Sequence, residues 1–465
     1  MVPAPLFVFA PDRSVLGLLA VLVSEASVLA SAGYFSSPED RRFYSSWTAV
    51  FLLTVLGCLF SASWLGYLVF LELSTAALFF LTARKEPRTA FRYLTAQLAG
   101  AALLLGGIAG AGGGLAFGPV EGDVRLLFIL GLGVKTALPG LHFWLPETHG
   151  RAPAPVSALL SGVAVKTGAF GILTALGGVP SPGLVAAGAV MALWGVIQAL
   201  PQHDAKRLLA YHTVSQLGYV MASAGAGGAA GAVYHSLAHG LFKGCLFLCA
   251  GSLEKSFGTR DLGLLEGRGR ELRWTRWLFW LSAAAIMGLP GTVGYGSKIF
   301  VKEPLGSWPL AWIALAVANG GTVMSFCKMG YYAFGPGKRS AGGRSVSESG
   351  WMVLGMVLLS VPVVVLGLFP GVLGRLLGGG EQELFSAGKL AESLGVFCAG
   401  AALFFLFRKR LGTLGELPDA DRLTDRLPAF FARAVLPFRR LQGGNLREYV
   451  LAATVSTIFL LLLLS

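Results

Sequence analysis

Long apolar stretches of this sequence contain several ionisable residues, and eight of them suggest proton chemistry. They are one glutamate, two histidines and five lysines: Glu72, Lys135, Lys166, His235, His239, Lys243, Lys298 and Lys328. A charge at the centre of a membrane helix costs on the order of 3 kcal/mol. A charged residue near a helix end can extend to the surface, but Glu72, Lys135, Lys166 and Lys243 lie about eight or more residues from either end. These four residues predict a functional site at membrane depth.

Three of the ionisable residues recur at a helical spacing: His235, His239 and Lys243. Residues four apart on an α-helix turn by ~40° and rise by ~6 Å, so the three side chains form one stripe. Imidazole accepts and donates protons near neutral pH, burial disfavours a charged lysine, and water can bridge the gaps. The stripe therefore predicts a proton relay. Two alternatives remain for the histidines: they could be hydrogen-bonded packing residues, or they could bind zinc. Lys243 on the same stripe disfavours a metal.

The composition requires a membrane as solvent. Of 465 residues, 54% are hydrophobic and 13% charged. Apolar stretches long enough to cross a bilayer as helices recur throughout the chain, and we count about fourteen. The predicted spans are 6–33, 44–61, 64–83, 90–112, 124–143, 155–177, 183–200, 207–224, 230–251, 274–303, 309–334, 351–370, 388–407 and 447–464. The fold class is therefore an all-α polytopic membrane protein.

The net charge of +13 does not indicate nucleic-acid binding, because the basic residues lie mainly in the segments between the predicted spans. Their distribution instead reflects the orientation of the chain in the membrane. Most of them fall on one side, which the positive-inside rule makes cytoplasmic, with the N-terminus outside. The first apolar segment lacks a basic leader and a cleavage pattern and is expected to be a retained helix. The five cysteines form no C-x-x-C pair, so neither a metal nor a cofactor is expected.

Helix-breaking residues interrupt two of the spans. Pro139 follows Lys135, and Pro290 with Gly291, Gly294 and Gly296 precedes Lys298. Irregular backbone at membrane depth is tolerated when it is buried in protein or lines a polar cavity. The two interrupted spans lie five helices apart, which predicts two five-helix repeats, 44–177 and 183–334. An odd number of helices per repeat inverts the second copy.

Several motifs in order resemble a known family. They are GLGVKTALPGLHFWLPETHGRA at 131–152, VKTG at 165–168, HDAKRLLAYHTVSQLGY at 203–219, the H-x3-H-x3-K stripe and GLPGTVGYGSKIF at 288–300. They resemble the antiporter-like subunits of respiratory complex I, of multisubunit sodium/proton antiporters and of membrane-bound hydrogenases. VKTA and VKTG are not phosphate loops, because the G-K-[ST] order is absent.

The resemblance implies roles for individual residues. Glu72 and Lys135 match a coupled ion pair, Lys166 and the histidine–lysine stripe match a central proton relay, and Lys298 matches an exit lysine. His212 matches the form of the AYHTVSQ segment that is associated with the antiporter and hydrogenase relatives.

This sequence also departs from the family. About two N-terminal helices of the family have no counterpart, and the acidic residue that can follow the exit lysine is Ile299. The segment 412–446 contains three prolines and suits an interfacial position. Lys328 is either a relay residue or a lysine that extends to the surface. His142, with Glu147 and His149, is predicted at the cytoplasmic mouth of the first interrupted span, either feeding protons inward or forming a solvated turn.

The sequence therefore predicts a non-catalytic, proton-translocating subunit in a bacterial or archaeal inner membrane. One candidate for the whole complex is an oxidoreductase such as NADH:quinone oxidoreductase. Its expected partners are the lipid bilayer, other membrane subunits of a respiratory or antiporter complex, and protons, with sodium as a second candidate ion. The predicted regions are 1–43, 44–182, 183–350 and 351–465. The alternatives are a secondary transporter for an organic substrate and the membrane subunit of a two-component transporter, such as an inorganic-carbon uptake system.

Overall fold

The computed structural model describes residues 6–113, 115–336, 347–379 and 383–417, and these ranges are mostly helical with no β-strand. A π-helical turn, Leu160–Ala164, joins two of the helices. In chain order the α-helices are α1 Pro11–Tyr34, α2 Pro38–Phe60, α3 Trp64–Ala83, α4 Pro87–Gly110, α5 Val124–Lys135, α6 Trp144–Arg151, α7 Ala154–Leu159, α8 Val165–Leu176, α9 Pro182–Ala199, α10 Ala205–Gly225, α11 Ala229–Phe257, α12 Leu262–Leu265, α13 Arg273–Met287, α14 Val293–Lys302, α15 Pro309–Phe334, α16 Gly350–Leu368, α17 Pro370–Leu376 and α18 Ala387–Leu411.

Ten helical segments in the described ranges are long and apolar enough to cross a membrane. They are α1, α2, α3, α4, the continuous segment Ala154–Leu176, α9, α11, α15, α16 and α18. Each coincides with a span predicted from the sequence. Their outer faces carry exposed apolar side chains such as Leu53, Val69 and Phe91, which suit contact with lipid.

Helix α11 lies at the centre of the helical bundle. The apolar part of α11 is 100% buried, whereas that of α18 is only 11% buried and therefore lies at the periphery. The stripe of His235, His239 and Lys243 is on α11, so all three side chains are enclosed by protein. Helix α10, beside it, is less apolar because it carries polar residues such as Ser215 and Gln216.

The interruption after Lys135 is built by unusual backbone angles. Helix α5 ends at Lys135, and Ala137 and Gly140 then adopt φ values of +57° and +80°. A positive φ is uncommon for a residue other than glycine, so Ala137 marks a strained turn. The carbonyl of Val134, freed by the break, accepts a hydrogen bond from Trp144 Nε1 at 2.8 Å. The break therefore lies where Pro139 predicted it.

The second interruption separates α13 from α14. Gly288 and Gly291 adopt φ values of +81° and +83° on either side of Pro290, and α14 begins at Val293. A further irregularity was not predicted: the span 155–177 contains the π-helical turn just before Lys166. The predicted final span 447–464 and most of the segment 412–446 lie outside the described residues.

Candidate functional site

The first predicted pair forms a direct ion pair between α3 and the end of α5. Lys135 Nζ lies 2.6 Å from Glu72 Oε1 and donates a second hydrogen bond to Thr75 Oγ1 at 2.7 Å. Lys135 is only 5% exposed, whereas the side chain of Glu72 is 25% exposed. Each charge offsets the desolvation of the other, so the pair is stable until a proton arrives or leaves.

Helix α8 packs closely against this pair through Gly168. A β-carbon at Gly168 would lie 2.7 Å from Lys135 Cβ and 3.1 Å from Thr136 Cγ2, distances too short for any larger residue. The final glycine of the VKTG motif therefore lets α8 approach the break. Lys166 lies two residues earlier on the same helix.

Lys166 is held by the π-helical turn. Its side chain is buried, and Nζ donates to the carbonyl of Ser161 at the start of that turn. The turn also packs on the central helix, since a β-carbon at Gly240 would lie 2.7 Å from the carbonyl oxygen of Gly162. Gly240 adjoins His239, so the π-helical turn connects Lys166 to the central stripe.

The stripe on α11 is fully enclosed, because His235, His239 and Lys243 are each 0% exposed. The rings of His235 and His239 stack with centroids 6.3 Å apart. Lys243 Nζ donates to the carbonyl of Leu209 on α10 and lies 5.6 Å from the Phe247 ring. The structure therefore brings the three side chains into one column, as their spacing predicted.

His235 joins this column to the second interrupted span. Its Nε2 lies 3.2 Å from Gln216 Oε1 on α10, and its Nδ1 lies 3.0 Å from Ser297 Oγ on α14. The two nitrogens thus link α10 to the residue that precedes Lys298. The ring of Tyr219 is close to both His235 and Lys298: its centroid lies 5.5 Å from that of the His235 ring and 5.4 Å from Lys298 Nζ.

Lys298 sits against the break between α13 and α14. Its Nζ lies 2.5 Å from the carbonyl of Ile286 and 2.5 Å from Asn319 Oδ1. Lys166, Lys243 and Lys298 thus share one arrangement, in which the amine donates to a backbone carbonyl. A carbonyl accepts a hydrogen bond from either a neutral amine or an ammonium, so these lysines can change protonation state without losing the contact.

Two other predicted residues, His212 and His142, are buried outside the column. His212 on α10 is 0% exposed, its ring lies 5.0 Å from that of Phe326, and neither ring nitrogen has a hydrogen-bond partner within the described ranges. His142 is 5% exposed and lines a cavity of about 160 Å³ between the first break and Met191 and Trp194 of α9.

The sequence allowed two interpretations of the segment around His142, an inward proton path or a solvated turn, and its residues differ in which one they fit. Glu147 pairs with Arg92 at 2.7 Å and with Arg151 at 3.5 Å, as expected for a polar rim. His149 is fully buried and its Nδ1 lies 3.0 Å from the carbonyl of Leu145. The interpretation of this segment as a solvated turn is therefore wrong for His149, because α6 folds into the bundle.

Lys328 on α15 has the contacts of a helix cap. Its Nζ donates to the carbonyls of Leu200 at 2.7 Å and Gln202 at 3.0 Å, just beyond the C-terminal end of α9. The last carbonyls of a helix lack intrahelical partners and favour a positive charge. Lys328 is buried, so it does not extend to the surface.

We expect Lys328→Met to lower the free energy of unfolding by about 1–3 kcal/mol, because two buried carbonyls lose their donor. Proton flux per folded molecule should stay within about twofold of wild type. Thermal unfolding in detergent and flux in liposomes measure the two effects. A loss of flux without a loss of stability would instead make Lys328 part of the relay.

Several polar residues at the site were not singled out in the sequence: Thr75, Gln216, Tyr219, Ser297 and Asn319. Gln216 and Tyr219 lie within the motif at 203–219, and Ser297 lies within GLPGTVGYGSKIF. The one feature of the sequence that could have indicated a role for these residues is that polar side chains lie within apolar spans. Neutral polar side chains are common in membrane helices, however, so only their partners in the structure distinguish them.

The helical fold and the buried column of lysines and histidines define a polytopic membrane protein with titratable groups at its core. A profile of the family described as "NADH:quinone oxidoreductase/Mrp antiporter, TM" matches residues 123–325. NADH-quinone oxidoreductase subunit N of Desulforudis audaxviator is 30% identical over 403 residues, which cover 76% of this chain and 80% of that protein. The chain belongs to the family of antiporter-like membrane subunits of respiratory complex I, multisubunit sodium/proton antiporters and membrane-bound hydrogenases.

Other relatives are longer than this chain. Hydrogenase-4 component B of Escherichia coli is 34% identical over 281 residues, which cover 53% of this chain but only 42% of that protein. In the solved structure of the Mrp complex from Dietzia sp., one chain matches 98% of this chain with a TM-score of 0.78 and 24% identity, and 55% of that chain is covered. This likeness shows that the two chains share a fold.

The homologues are antiporter-like subunits of complex I, hydrogenases and Mrp antiporters, and they do not favour the two-component transporter. The family predicted from the motifs is therefore confirmed. The prediction of a membrane protein is confirmed as well, because the helices are apolar and the homologues are inner-membrane subunits.

Proposed function

We propose that this chain is the proton-translocating subunit of a multisubunit membrane complex. The observation that carries the proposal is the ion pair of Lys135 with Glu72 at 2.6 Å, placed beside a helix break and followed by a buried column of lysines and histidines. A buried ion pair next to irregular backbone is a two-state element, because a proton delivered nearby loosens it.

The proposed path has three parts. Glu72 and Lys135 receive or sense the proton, Lys166 with Lys243, His239 and His235 carries it through the bundle, and Lys298 releases it. Successive contacts support this order: Gly168 against Lys135, the π-helical turn against Gly240, and Ser297 against His235. Gaps between the side chains are bridged by water, as in other buried polar networks.

The proposed topology has fourteen spans, with the N-terminus outside in a bacterial or archaeal inner membrane. Two inverted five-helix repeats, within 44–182 and 183–350, form the core between the N-terminal helix of 1–43 and the C-terminal helices of 351–465. The matching positions of two breaks support the repeats. One follows α5, the fourth span of the first repeat, and the other follows α13, in the fourth span of the second repeat.

Partner subunits are part of this proposal. The relatives are subunits of multisubunit membrane complexes. In addition, the side chain of Glu25 is exposed midway along α1, about 13 Å from the helix end at Tyr34. A carboxylate exposed to lipid at that depth is costly, so a protein neighbour that covers it is expected.

The test is proton movement by the chain purified with its native partners and reconstituted in liposomes. With a potassium diffusion potential imposed, acidification reported by an internal pH dye is expected in the presence or absence of sodium. Acidification that requires sodium would assign sodium as a coupled ion. Liposomes that stay unresponsive in both media would overturn the proposal.

A further inference from the structure

A small cavity that is open to the surface lies beside Lys298, next to the break between α13 and α14, and offers about 40 Å³ of space for water. Its walls come from that break, from α14, from α15 and from the peripheral helix α18. The lining includes Gly288, Lys298, Ile299, Lys302, Glu392 and Ser393. The proposed release residue therefore faces a space that helix α18 helps to enclose.

Lys298 has no base among its hydrogen-bond partners. Its Nζ donates to the carbonyl of Ile286 and to Asn319 Oδ1, and neither oxygen takes a proton at physiological pH. The next residue, Ile299, lines the same cavity and is apolar, so it offers no base either. A proton leaving Lys298 needs an acceptor from elsewhere in the chain.

Glu392 of α18 is the one carboxylate among the cavity-lining residues described. Its Oε1 lies 2.5 Å from Lys302 Nζ, and its side chain is 40% exposed, so it faces both the cavity and the surface. Lys302 in turn lies 4.7 Å from the ring of Trp312, which fixes its position. A carboxylate accepts protons, so Glu392 supplies the cavity with the base that Lys298 lacks.

Two hydrogen bonds hold α18 against the break. Ser393 Oγ donates to the carbonyl of Gly288 at 2.7 Å. Tyr295 on α14 donates from its hydroxyl to the carbonyl of Leu384, shortly before α18 begins, at 2.6 Å. These contacts tie the helix that carries Glu392 to the segment that carries Lys298.

We propose that Glu392 is the terminal proton acceptor, which receives the proton of Lys298 through the cavity and releases it to the outer surface. This inference rests on the proposed function and adds a residue to it. The ammonium of Lys298 loses one proton to the carboxylate of Glu392, leaving a neutral amine and a carboxylic acid. The acid then loses that proton to external water, and the carboxylate pairs again with Lys302, which stays protonated throughout.

The test compares Glu392→Gln with the matched control Glu303→Gln in the purified complex in liposomes. Glu303 is exposed and adjoins Lys302 in sequence, but it is not among the cavity-lining residues, so the control removes the same charge from the same end of the bundle. We expect flux driven by an imposed potential to fall at least about tenfold in Glu392→Gln and to stay near wild type in Glu303→Gln. The residual flux of Glu392→Gln should rise with external pH, because hydroxide then replaces the missing base.

Ile299→Glu in the Glu392→Gln background provides the rescue. It returns a carboxylate to the cavity from α14 and should restore most of the flux. The double variant Glu392→Gln/Lys302→Gln removes the lysine that would be left unpaired and should show the same loss. If Glu392→Gln alone does not assemble, this double variant replaces it in the comparison with Glu303→Gln.

The outcomes separate this inference from the proposed function. Flux that is absent from wild type would overturn both. Wild-type flux that is lost in Lys135→Ala but unchanged in Glu392→Gln would overturn only the role of Glu392. Equal losses in Glu392→Gln and Glu303→Gln would also overturn it, since they would reflect surface charge alone.

Discussion

Replacing Lys135 with alanine is expected to reduce proton flux to the level of empty liposomes. Lys135 is 5% exposed and, among the described relay lysines, makes the one direct ion pair with a carboxylate, at 2.6 Å from Glu72. Without it, Glu72 has no cation partner to release when a proton arrives, so the two-state element is lost. Glu72→Gln should have the same effect from the other side of the pair. The measurement is dye-reported flux under an imposed potential.

Lys135→Arg separates proton release from charge pairing. Arginine keeps a positive charge that can pair with Glu72 but does not lose its proton in proteins. We therefore expect Lys135→Arg to assemble with a thermal unfolding midpoint close to that of wild type and to be as inactive as Lys135→Ala. Flux at the wild-type level in Lys135→Arg would show that a positive charge beside Glu72 is sufficient, and the prediction that Lys135 itself releases a proton would then be wrong.

The helices were predictable because the bilayer imposes one rule on all of them. An unpaired backbone group is costly in hydrocarbon, so each apolar stretch of sufficient length must be helical. Pro139 and Pro290 marked the two interruptions for a related reason, since proline removes a backbone donor. The π-helical turn before Lys166 was not predictable, because LSGVA contains no proline and Gly162 packs against residues distant in sequence, Val23 of α1 and Gly240 of α11.

The members of the site were easier to predict than their partners. Lys135, Lys166 and Lys243 stood out because a charge in an apolar helix is rare. The spacing of His235, His239 and Lys243 then set their common face. By contrast, the donation from Lys328 to the carbonyls of Leu200 and Gln202 joins positions more than a hundred residues apart. No local pattern encodes such a contact, so the sequence left the role of Lys328 open.

A second large effect is expected at His235, where the column passes from α11 to α14. We predict that His235→Gln lowers proton flux about a hundredfold, the magnitude typical of removing a positioned proton carrier. Glutamine can still hydrogen-bond to Gln216 and Ser297, the partners at 3.2 and 3.0 Å in wild type, but it does not titrate near neutral pH. Flux in liposomes and elution volume in detergent report function and assembly separately.

His212→Gln is the matched control for His235→Gln. His212 has the same 0% exposure and lies on the neighbouring helix α10, but its ring nitrogens have no hydrogen-bond partner within the described ranges. If transfer to Lys298 requires the bridge between Gln216 and Ser297, His212→Gln should keep at least about half of the wild-type flux while His235→Gln loses nearly all of it. Equal losses would mean that protons reach α14 through both helices, with His212 as a full member of the relay. Unchanged flux in His235→Gln would mean that the bridge is structural, since a non-titrating side chain that keeps its hydrogen bonds would then be sufficient.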